Sequence, residues 1–385
     1  MRQTKIILFF VVLTQMGSSC IKPYDPVIKS TDAIKLVVSG QLTDADSAQI
    51  VNVSMTSPIG DPQYLPVTGC MVTIMDDKGN EFPMADMENG DYSTWIDPGF
   101  IIPGASFRVE VIHPSGDRII SAFDYLSECP DVDSVYYIRE DIEGNEPGEY
   151  TLGIQFYVDL DGTDADSRYY RWVAIETFEH HAEYPLEWYY DGTVHHVDPP
   201  DYSRFVCWST NKIPEVFTLS TTNLTENKFK LFPLQYVNNR SSRLMYGYSL
   251  LIKQYALSEA AYNYWDQLRI NVSQQGGLYE TQPIAIKGNM LNLTHPENEV
   301  LGFFNVAALK EKRIFVSDVP DLPLDFNIYC SLSVLRKGLK EITPRDYPGY
   351  LMGDEGGWLP VLLGAECVNC MLLGGTNIKP NFWPN

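Results

Sequence analysis

Basic residues are scarce in this chain of 385 residues, which has 28 Lys and Arg against 50 Asp and Glu. The formal net charge of −22 repels the phosphates of nucleic acids and of anionic lipid headgroups. No nucleic-acid partner is therefore expected. An acidic, solvated surface that keeps a protein in solution is sufficient to explain the imbalance.

Long apolar runs are also scarce, and the one clear run, residues 6–16, is too short to span a bilayer as a stable helix. Two cationic residues precede it, and the small residues 17–19 follow it. This order of cationic, apolar and small-residue regions is typical of a secretory signal. The sequence therefore predicts a signal peptide at residues 1–19.

Cys20 follows the small residues directly, which resembles the bacterial lipoprotein signal, in which the cysteine carries lipid and becomes the mature N-terminus. We therefore expect lipidation of Cys20 and an extended tether at residues 20–33. The alternative is an ordinary secreted protein with a cysteine near its cleavage site. Since no second long apolar run exists, the lipid would be the attachment to the membrane.

Catalytic motifs are missing from the sequence. It contains no G-x-S-x-G elbow, no H-E-x-x-H, no Walker loop and no G-x-G-x-x-G. A glycosidase needs only two well-placed carboxylates, which cannot be recognised among so many acidic residues. We therefore expect a protein that is not an enzyme and that uses no cofactor, with a hydrolase as the open alternative.

Six cysteines follow Cys20, namely Cys70, Cys129, Cys207, Cys330, Cys367 and Cys370. An exported chain meets oxidising conditions, in which disulfides persist. The single C-x-x-C has no second ligand pair for zinc, so no metal is predicted, and its turn-rich flanks do not fit a redox motif. We predict that a disulfide involving Cys367 or Cys370 holds the tail, with Cys207 as the first candidate partner. A bond between Cys367 and Cys370 is the alternative.

Period-2 alternation of apolar and polar residues dominates most of the chain, as at residues 51–55, 70–74 and 107–111. Such runs, separated by Gly-rich and Asp-rich turns, predict a mainly β protein. We expect an immunoglobulin-like or prealbumin-like β-sandwich at residues 34–126. An acidic linker at 127–150 and a larger β-rich domain at 151–385 would follow it.

One α-helix is predicted near residues 258–272 of that second domain. Ser258 is a suitable N-cap, and Gly276 and Gly277 supply a stop. The spacing predicts one apolar stripe, which is made of Ala261, Trp265, Leu268 and Val272.

Two polar clusters resemble metal sites, but each has a simpler interpretation. Four aspartates within residues 159–166 invite a calcium interpretation, but the stretch lacks the Gly and Glu of an EF-hand loop, so a solvated hairpin loop is expected. The second cluster is two histidine pairs, at 180–181 and at 195–196. A hairpin turn at Asp191-Gly192 would set the second pair opposite Trp188 and Glu187, away from the first. Solvent-exposed histidines are expected.

Several segments together resemble a family of exported Bacteroidota lipoproteins of unknown function. They are "VVSGQLTD" (37–44), "ENGDYS" (88–93), "YYRW" (169–172), "KQYALSEAAYNYWDQL" (253–268), residues 277–316 and "CVNCMLLGGTNIKPNFW". The resemblance implies an N-terminal sandwich, a lipid anchor in the outer membrane and a TonB-dependent outer-membrane transporter as partner. It assigns no catalytic residue. The acidic run of surface-exposed lipoproteins is reduced here to "IKPYDP", so both the surface and the periplasmic face stay open.

Two classes of function therefore compete, and an architectural role is a third. One is a non-enzymatic accessory or ligand-binding partner of a transporter, and the other is a surface hydrolase of glycans or peptides. A cleft with two facing carboxylates of shifted pKa would favour the hydrolase. An aromatic or apolar face without such a pair would favour binding.

Overall fold

The computed structural model describes residues 34–58, 61–144, 148–273, 286–326, 329–352 and 361–384. Cys20, the predicted signal peptide and the predicted tether lie outside the described residues. The strands of the first half are β1 (Leu36–Thr43), β2 (Gln49–Met55), β3 (Leu65–Pro66), β4 (Met71–Asp76), β5 (Glu81–Asp86), β6 (Asp91–Thr94), β7 (Ser106–Ile112), β8 (Arg118–Ser121), β9 (Asp124–Tyr125), β10 (Ser134–Glu143), β11 (Tyr150–Asp161) and β12 (Tyr169–His181).

The remaining strands are β13 (Leu186–Tyr190), β14 (Val194–Asp201), β15 (Val206–Lys212), β16 (Phe217–Ser220), β17 (Lys228–Asn238), β18 (Gly247–Ala256), β19 (Met290–Asn292), β20 (Phe304–Val316), β21 (Leu332–Val334), β22 (Gly349–Met352) and β23 (Val361–Leu363). The described ranges hold one α-helix, α1 (Glu259–Ser273). Short 3-10 helices are Ser242–Leu244, Gly338–Glu341, Pro344–Asp346, Ala365–Cys367 and Cys370–Leu373. The prediction of a mainly β protein with one conspicuous helix is confirmed.

The largest sheet has 15 strands and runs through both halves of the chain. Its order is β15-β12-β18-β20-β1-β2-β6-β5-β4-β7-β8-β19, with β16, β3 and β9 attached at its sides. The junction is β1, which pairs antiparallel with β2 and parallel with β20, where Gly40 lies opposite Phe304. Parallel neighbours need a long crossover, and here the crossover is most of the chain.

The first hydrophobic core is enclosed by strands of residues 34–126 together with a later segment. Val51, Val72 and Val109 are buried in it, as alternation predicts for β2, β4 and β7. Phe304 and Val306 of β20 belong to the same core. The first strands therefore bury part of their apolar surface against residues far along the chain. The immunoglobulin-like character of 34–126 and the division into domains stay predictions.

A second core lies between β12 and β18 of the largest sheet and a three-stranded sheet ordered β10-β11-β17. Its centre includes Phe156 stacked on Tyr248, with ring centroids 5.4 Å apart. Residues 134–143 of the predicted linker form β10 and pair with β11 over their whole length. Val135 and Tyr137 pack against this core, which explains why an acidic stretch is ordered there.

Helix α1 begins as predicted, since the Ser258 hydroxyl accepts a hydrogen bond from the Ala261 amide at 3.2 Å. Ala261 is fully buried, and helix residues as far as Trp265 share a hydrophobic cluster with the sheet. The predicted stripe is wrong at Val272, which is 55% exposed because the helix extends past that cluster. The predicted stop at residues 276–277 lies outside the described residues. No helix in the described ranges is long and apolar enough to cross a membrane.

A five-stranded sheet, ordered β14-β13-β22-β23-β21, contains the second histidine pair. The predicted hairpin forms around Gly192, but the register differs by one residue, because Trp188 lies opposite His196 and Tyr189 opposite His195. The loop contains three residues, 191–193, between β13 and β14. A two-residue loop was the basis of the predicted register, and one extra residue shifts every pair.

Candidate functional site

An aromatic pocket lies where β12 ends, and its volume is about 320 Å³. Residues from β12, from the turn between β17 and β18 and from the C-terminal tail line it, together with Phe326 and Tyr329. The lining consists of Phe178, His180, His181, Arg240, Ser241, Ser242, Met245, Tyr246, Phe326, Tyr329 and Leu373. Most of the lining is apolar or aromatic, with a few polar groups, which is the usual composition of a small-molecule site.

The turn before β18 positions the central aromatic wall. It begins with the 3-10 helix Ser242–Leu244, in which the Met245 amide donates to the Ser242 carbonyl at 3.0 Å. Leu244 is buried in the second core and anchors the turn. Tyr246 then stacks on His181, with ring centroids 3.6 Å apart and an interplanar angle of 18°. Packing of the turn on the core therefore sets the position of one pocket wall.

The two pocket histidines have different environments. His181 is hydrogen-bonded to the Glu179 carboxylate at 2.7 Å. His180 is only 5% exposed, so the expectation of solvent-exposed histidines is wrong for it. Its Nε2 lies 3.3 Å from the Cys370 carbonyl, and its Nδ1 lies 3.4 Å from the Ser209 hydroxyl. Burial lowers the pKa of His180, which favours a neutral imidazole.

Two disulfides hold the C-terminal tail, which supplies Leu373 to the pocket lining. Cys207 is bonded to Cys370, and Cys330 is bonded to Cys367. The tail is therefore held by the predicted Cys207, and the C-x-x-C cysteines are not bonded to each other. A backbone pair between Trp208 and Thr376 continues this attachment. Leu373, which lies between these two attachments, is thereby brought to the pocket wall. Cys70 and Cys129 are free and buried.

An acidic cavity of about 680 Å³ is the main rival to the aromatic pocket. Its lining is Glu128, Cys129, Pro130, Asp131, Asp133, Asp161, Thr163, Asp164, Ala165, Lys228 and Lys310. The Thr163 hydroxyl and Lys228 lower the pKa of Asp161 to about 2. Asp131 is paired with Lys310 at 3.2 Å. A general acid needs a raised pKa, whereas the contacts of Asp161 lower its pKa and keep its carboxylate charged.

The four aspartates of residues 159–166 do not converge on a cation. Asp159 is only 7% exposed and accepts hydrogen bonds from Tyr136 at 3.0 Å and from the Leu231 amide at 2.9 Å. The hairpin prediction is wrong, because β11 and β12 belong to different sheets. In the described part of the chain, no group of three or more His, Cys, Asp or Glu could hold a metal ion.

A third cavity, of about 410 Å³, is lined in part by the buried carboxylate of Glu176, which is hydrogen-bonded to neighbouring side chains. Glu176 accepts hydrogen bonds from Tyr248 at 2.9 Å, from Gln235 at 3.0 Å and from Arg243 at 3.1 Å. Both carboxylate oxygens are engaged, since Asn211 donates to the other one at 3.3 Å. These hydrogen bonds satisfy the buried carboxylate and connect β12 with β15, β17 and the turn before β18.

Sequence reasoning identified only part of the aromatic pocket. It singled out His180 and His181, and its expectation of solvent exposure is wrong for His180. It also identified Cys207 and Cys370, whose disulfide holds the tail beside the pocket. Tyr246, Phe326 and Tyr329 were missed. Their spacing shows no pattern, because the pocket is assembled from four separate segments. His195 and His196 lie in another sheet and take no part in it.

Comparisons with known proteins assign a family but no activity. Residues 21–313 match the family described as a domain of unknown function, DUF4249, and the chain belongs to this family. No curated protein matches the sequence. One similar solved structure is trypsin-activated alpha-2-macroglobulin from Escherichia coli, with 9% identity over 59% of this chain and 15% of that chain and a TM-score of 0.19. A second similar structure is the native conformation of the E. coli alpha-2-macroglobulin, with 9% identity over 60% of this chain and 14% of that chain and a TM-score of 0.19.

Proposed function

We propose that this member of the DUF4249 family is a non-enzymatic binding protein, held at the outer membrane by lipid on Cys20. It captures a small ligand in the aromatic pocket as the partner of a TonB-dependent transporter. The signal pattern of residues 1–20 supports the anchor. The resemblance to exported Bacteroidota lipoproteins supports the transporter, and this support is by analogy.

The observation that carries the proposal is the aromatic pocket itself. Its volume of about 320 Å³ lies at the lower end of the range of small-molecule sites, roughly 300–1,000 Å³. Tyr246 and Phe178 contribute aromatic rings to the lining, and Arg240 and the adjacent serines contribute hydrogen-bond donors. Such a lining suits a small, partly apolar ligand with a few polar groups.

The arrangement of the pocket histidines argues against hydrolysis there. A hydrolase of the Ser-His-Asp type needs a hydroxyl bonded to an imidazole that a carboxylate orients. Glu179 and His181 form a carboxylate and imidazole pair, but the His181 ring lies flat on Tyr246. His180 does lie near the Ser209 hydroxyl, but its other nitrogen faces a carbonyl, and both residues are buried.

Helix α1 is less suitable as a docking face for the transporter than its sequence suggests. Its apolar residues from Ala261 to Trp265 pack on the sheet of the same chain. A stable partnership needs an interface of more than about 1,000 Å². We therefore assign ligand capture to the aromatic pocket, and we regard α1 as part of the hydrophobic core of the chain.

The test is purification of the native protein from membranes in mild detergent, followed by mass spectrometry of bound small molecules and co-purified proteins. We expect wild type to bring down a transporter together with a reproducible small molecule. Tyr246→Ala should lose the small molecule and keep the transporter. Tyr150→Ala is the matched control, since Tyr150 is 52% exposed and lies outside the pocket.

Three outcomes would overturn the proposal. One is repeated recovery of wild type without ligand or transporter, together with unchanged growth on every transported nutrient after deletion. Another is steady turnover of a glycan or peptide by the purified protein, which would favour the hydrolase. The last is identical ligand recovery from wild type and Tyr246→Ala.

A further inference from the structure

Four hydrogen-bonding side chains form a donor cluster on the face of the largest sheet that α1 covers. The donor cluster consists of Gln41 on β1, Arg171 on β12, Trp265 on α1 and Asn305 on β20. None of these residues lines the aromatic pocket. The cluster is therefore a separate feature, and its role goes beyond the proposed function.

Arg171 is the centre of the donor cluster. It is only 6% exposed, and its guanidinium carbon lies 3.6 Å from the centroid of the Trp265 ring. One of its nitrogens donates to Gln41 Oε1 at 2.9 Å. Among the described residues it forms no salt bridge, and burial lowers its pKa to about 10. A buried guanidinium without a carboxylate is costly, since buried charges are normally paired.

The other members of the cluster present donors that have no acceptor. Gln41 Nε2, Trp265 Nε1 and Asn305 Nδ2 are three of the five buried side-chain nitrogens that lack a partner in the described part of the chain. Gln41 and Asn305 are register partners on neighbouring parallel strands, so their side chains lie side by side. Unpaired buried donors are rare in native proteins, and each requires an explanation.

A second positive charge, that of Lys212, lies near the donor cluster and also favours an anion there. Burial and the positive charge of Arg171 both lower the pKa of Lys212. The carboxylate of Glu311 is already paired with Lys253 at 2.8 Å. On α1, the Asp266 carboxylate accepts a hydrogen bond from Thr218, the register partner of Arg171, and is paired with Arg269 at 2.8 Å. Both carboxylates are therefore engaged by other cations, and neither forms a salt bridge with Arg171 among the described residues.

We propose that the donor cluster binds the carboxylate group of a small molecule beneath α1. A carboxylate has two oxygens with about four lone-pair sites, which suits a guanidinium, two carboxamides and an indole N–H. A single negative charge neutralises Arg171, and charge-assisted bonds to a planar guanidinium are among the strong hydrogen bonds of proteins. The aromatic face of Trp265 would then stack on the guanidinium of the bound pair.

The first test uses sodium acetate as the probe, with sodium chloride at equal ionic strength as the reference, on the full mature protein. We expect acetate to raise the melting temperature saturably and chloride to have no saturable effect. An acetate effect no larger than that of chloride would overturn the proposal and assign the donors to water. A saturable effect of inorganic phosphate without one of acetate would also overturn it.

The first pair of variants separates the site from a general effect of arginine. Arg171→Met should abolish the saturable acetate effect or weaken acetate binding by about tenfold or more. The matched control is Arg313→Met, because Arg313 also lies 3.6 Å from a ring, that of Phe382, but is bonded to Ser249 at 2.8 Å. Equal loss of acetate binding in both variants would contradict the proposal.

Gln41→Glu keeps the test decisive if Arg171→Met does not fold. This isosteric change places a carboxylate within hydrogen-bond reach of Arg171, where the chain itself now offers only an amide. We expect the ligand-free variant to melt at a higher temperature than wild type and to lose its response to acetate. A lower melting temperature with an intact acetate response would overturn the proposal.

A spectroscopic signal distinguishes binding from indirect stabilisation. The indole N–H of Trp265 should shift downfield in the ¹⁵N-correlated NMR spectrum as acetate is added, because it gains an acceptor. Trp265→Phe assigns that resonance. An unchanged Trp265 resonance at saturating acetate would contradict the proposal.

Discussion

His181 and Tyr246 lie face to face at the end of β12, with ring centroids 3.6 Å apart. The two residues come from different segments of the chain, and their contact joins the strand wall of the aromatic pocket to its turn wall. Stacked aromatic pairs contribute roughly 0.5–1.5 kcal/mol beyond the area they bury. The contact is therefore a sensitive place to disturb the pocket without disturbing the core.

Replacing Tyr246 with Ala should weaken binding of an apolar dye to the pocket. With anilinonaphthalenesulfonate as the probe, we expect a dissociation constant about 2- to 10-fold higher than in wild type, since one ring contact is lost. Fluorescence titration measures it. Tyr150→Ala is the control and should match wild type. Equal affinities in all three proteins would show that the dye binds elsewhere.

The tail disulfide should contribute more stability than the inner one. Cys207 and Cys370 are 163 residues apart, whereas Cys330 and Cys367 are 37 apart. Each bond should stabilise by about 2–4 kcal/mol, and the longer loop should add about 1 kcal/mol to the difference. Denaturant unfolding of the two double Cys→Ser variants without reductant measures this. A larger loss from the inner pair would refute the prediction.

The pairing itself has a direct check. Proteolysis of the non-reduced protein, followed by mass spectrometry, should yield one cross-linked peptide pair for Cys207 and Cys370 and another for Cys330 and Cys367. Since Cys367 and Cys370 are each bonded to a cysteine outside the C-x-x-C, no bond between Cys367 and Cys370 should be found. Detection of that bond, or of bound zinc, would contradict the structure.

His180 should make the protein less stable as the solution becomes acidic. Burial lowers its pKa below the ordinary value of 6.5, so the folded state binds its proton less readily than the unfolded state. Its contribution to stability is therefore complete above about pH 6.5 and is lost as the pH falls from there through the lowered pKa.

Denaturant unfolding between pH 7.5 and pH 5 tests this pH dependence. His180→Gln should lose less stability than wild type over that interval, whatever its stability at pH 7.5. His196→Gln, which changes a half-exposed histidine of another sheet, should retain the wild-type slope. Parallel pH profiles for wild type and His180→Gln would count against the assignment.

The buried contact of Arg243 with Glu176 should matter far more than an exposed pair. The two lie 3.1 Å apart, and the Glu176 side chain is 5% exposed. Arg243→Met should lower the free energy of unfolding by about 3 kcal/mol, because it leaves a buried carboxylate without its counterion. Lys310→Met, which removes the partner of the 90% exposed Asp131, should cost less than about 1 kcal/mol. Similar losses in both variants would contradict this ranking.

Cys20→Ser should abolish attachment to the membrane. We expect the variant to lose metabolic palmitate label and to leave the membrane fraction, because the predicted lipid would have no acceptor. The double variant Cys70→Ser with Cys129→Ser changes thiols that are buried in the structure and should keep both label and location. Unchanged labelling of Cys20→Ser would defeat the prediction.

Local features of this protein follow from short stretches of its sequence. Alternating apolar residues placed the strands at 51–55 and 107–111 correctly, since a half-buried strand needs no information beyond its own two faces. Ser258 marked the start of α1 because a cap depends on an amide three residues away. The hairpin at Gly192 was also recognisable, although its register depended on one loop residue.

Long-range features were decided only by the tertiary structure. The parallel pairing of Gly40 with Phe304 joins residues that no periodicity connects, and the burial of His180 depends on the tail that Cys370 brings over it. The linker expected at 127–150 contains a strand because β11 was available to pair with it. Composition predicts how a segment behaves alone, whereas pairing and burial depend on the partner that the rest of the chain supplies. The aromatic pocket and the donor cluster are both products of such partners.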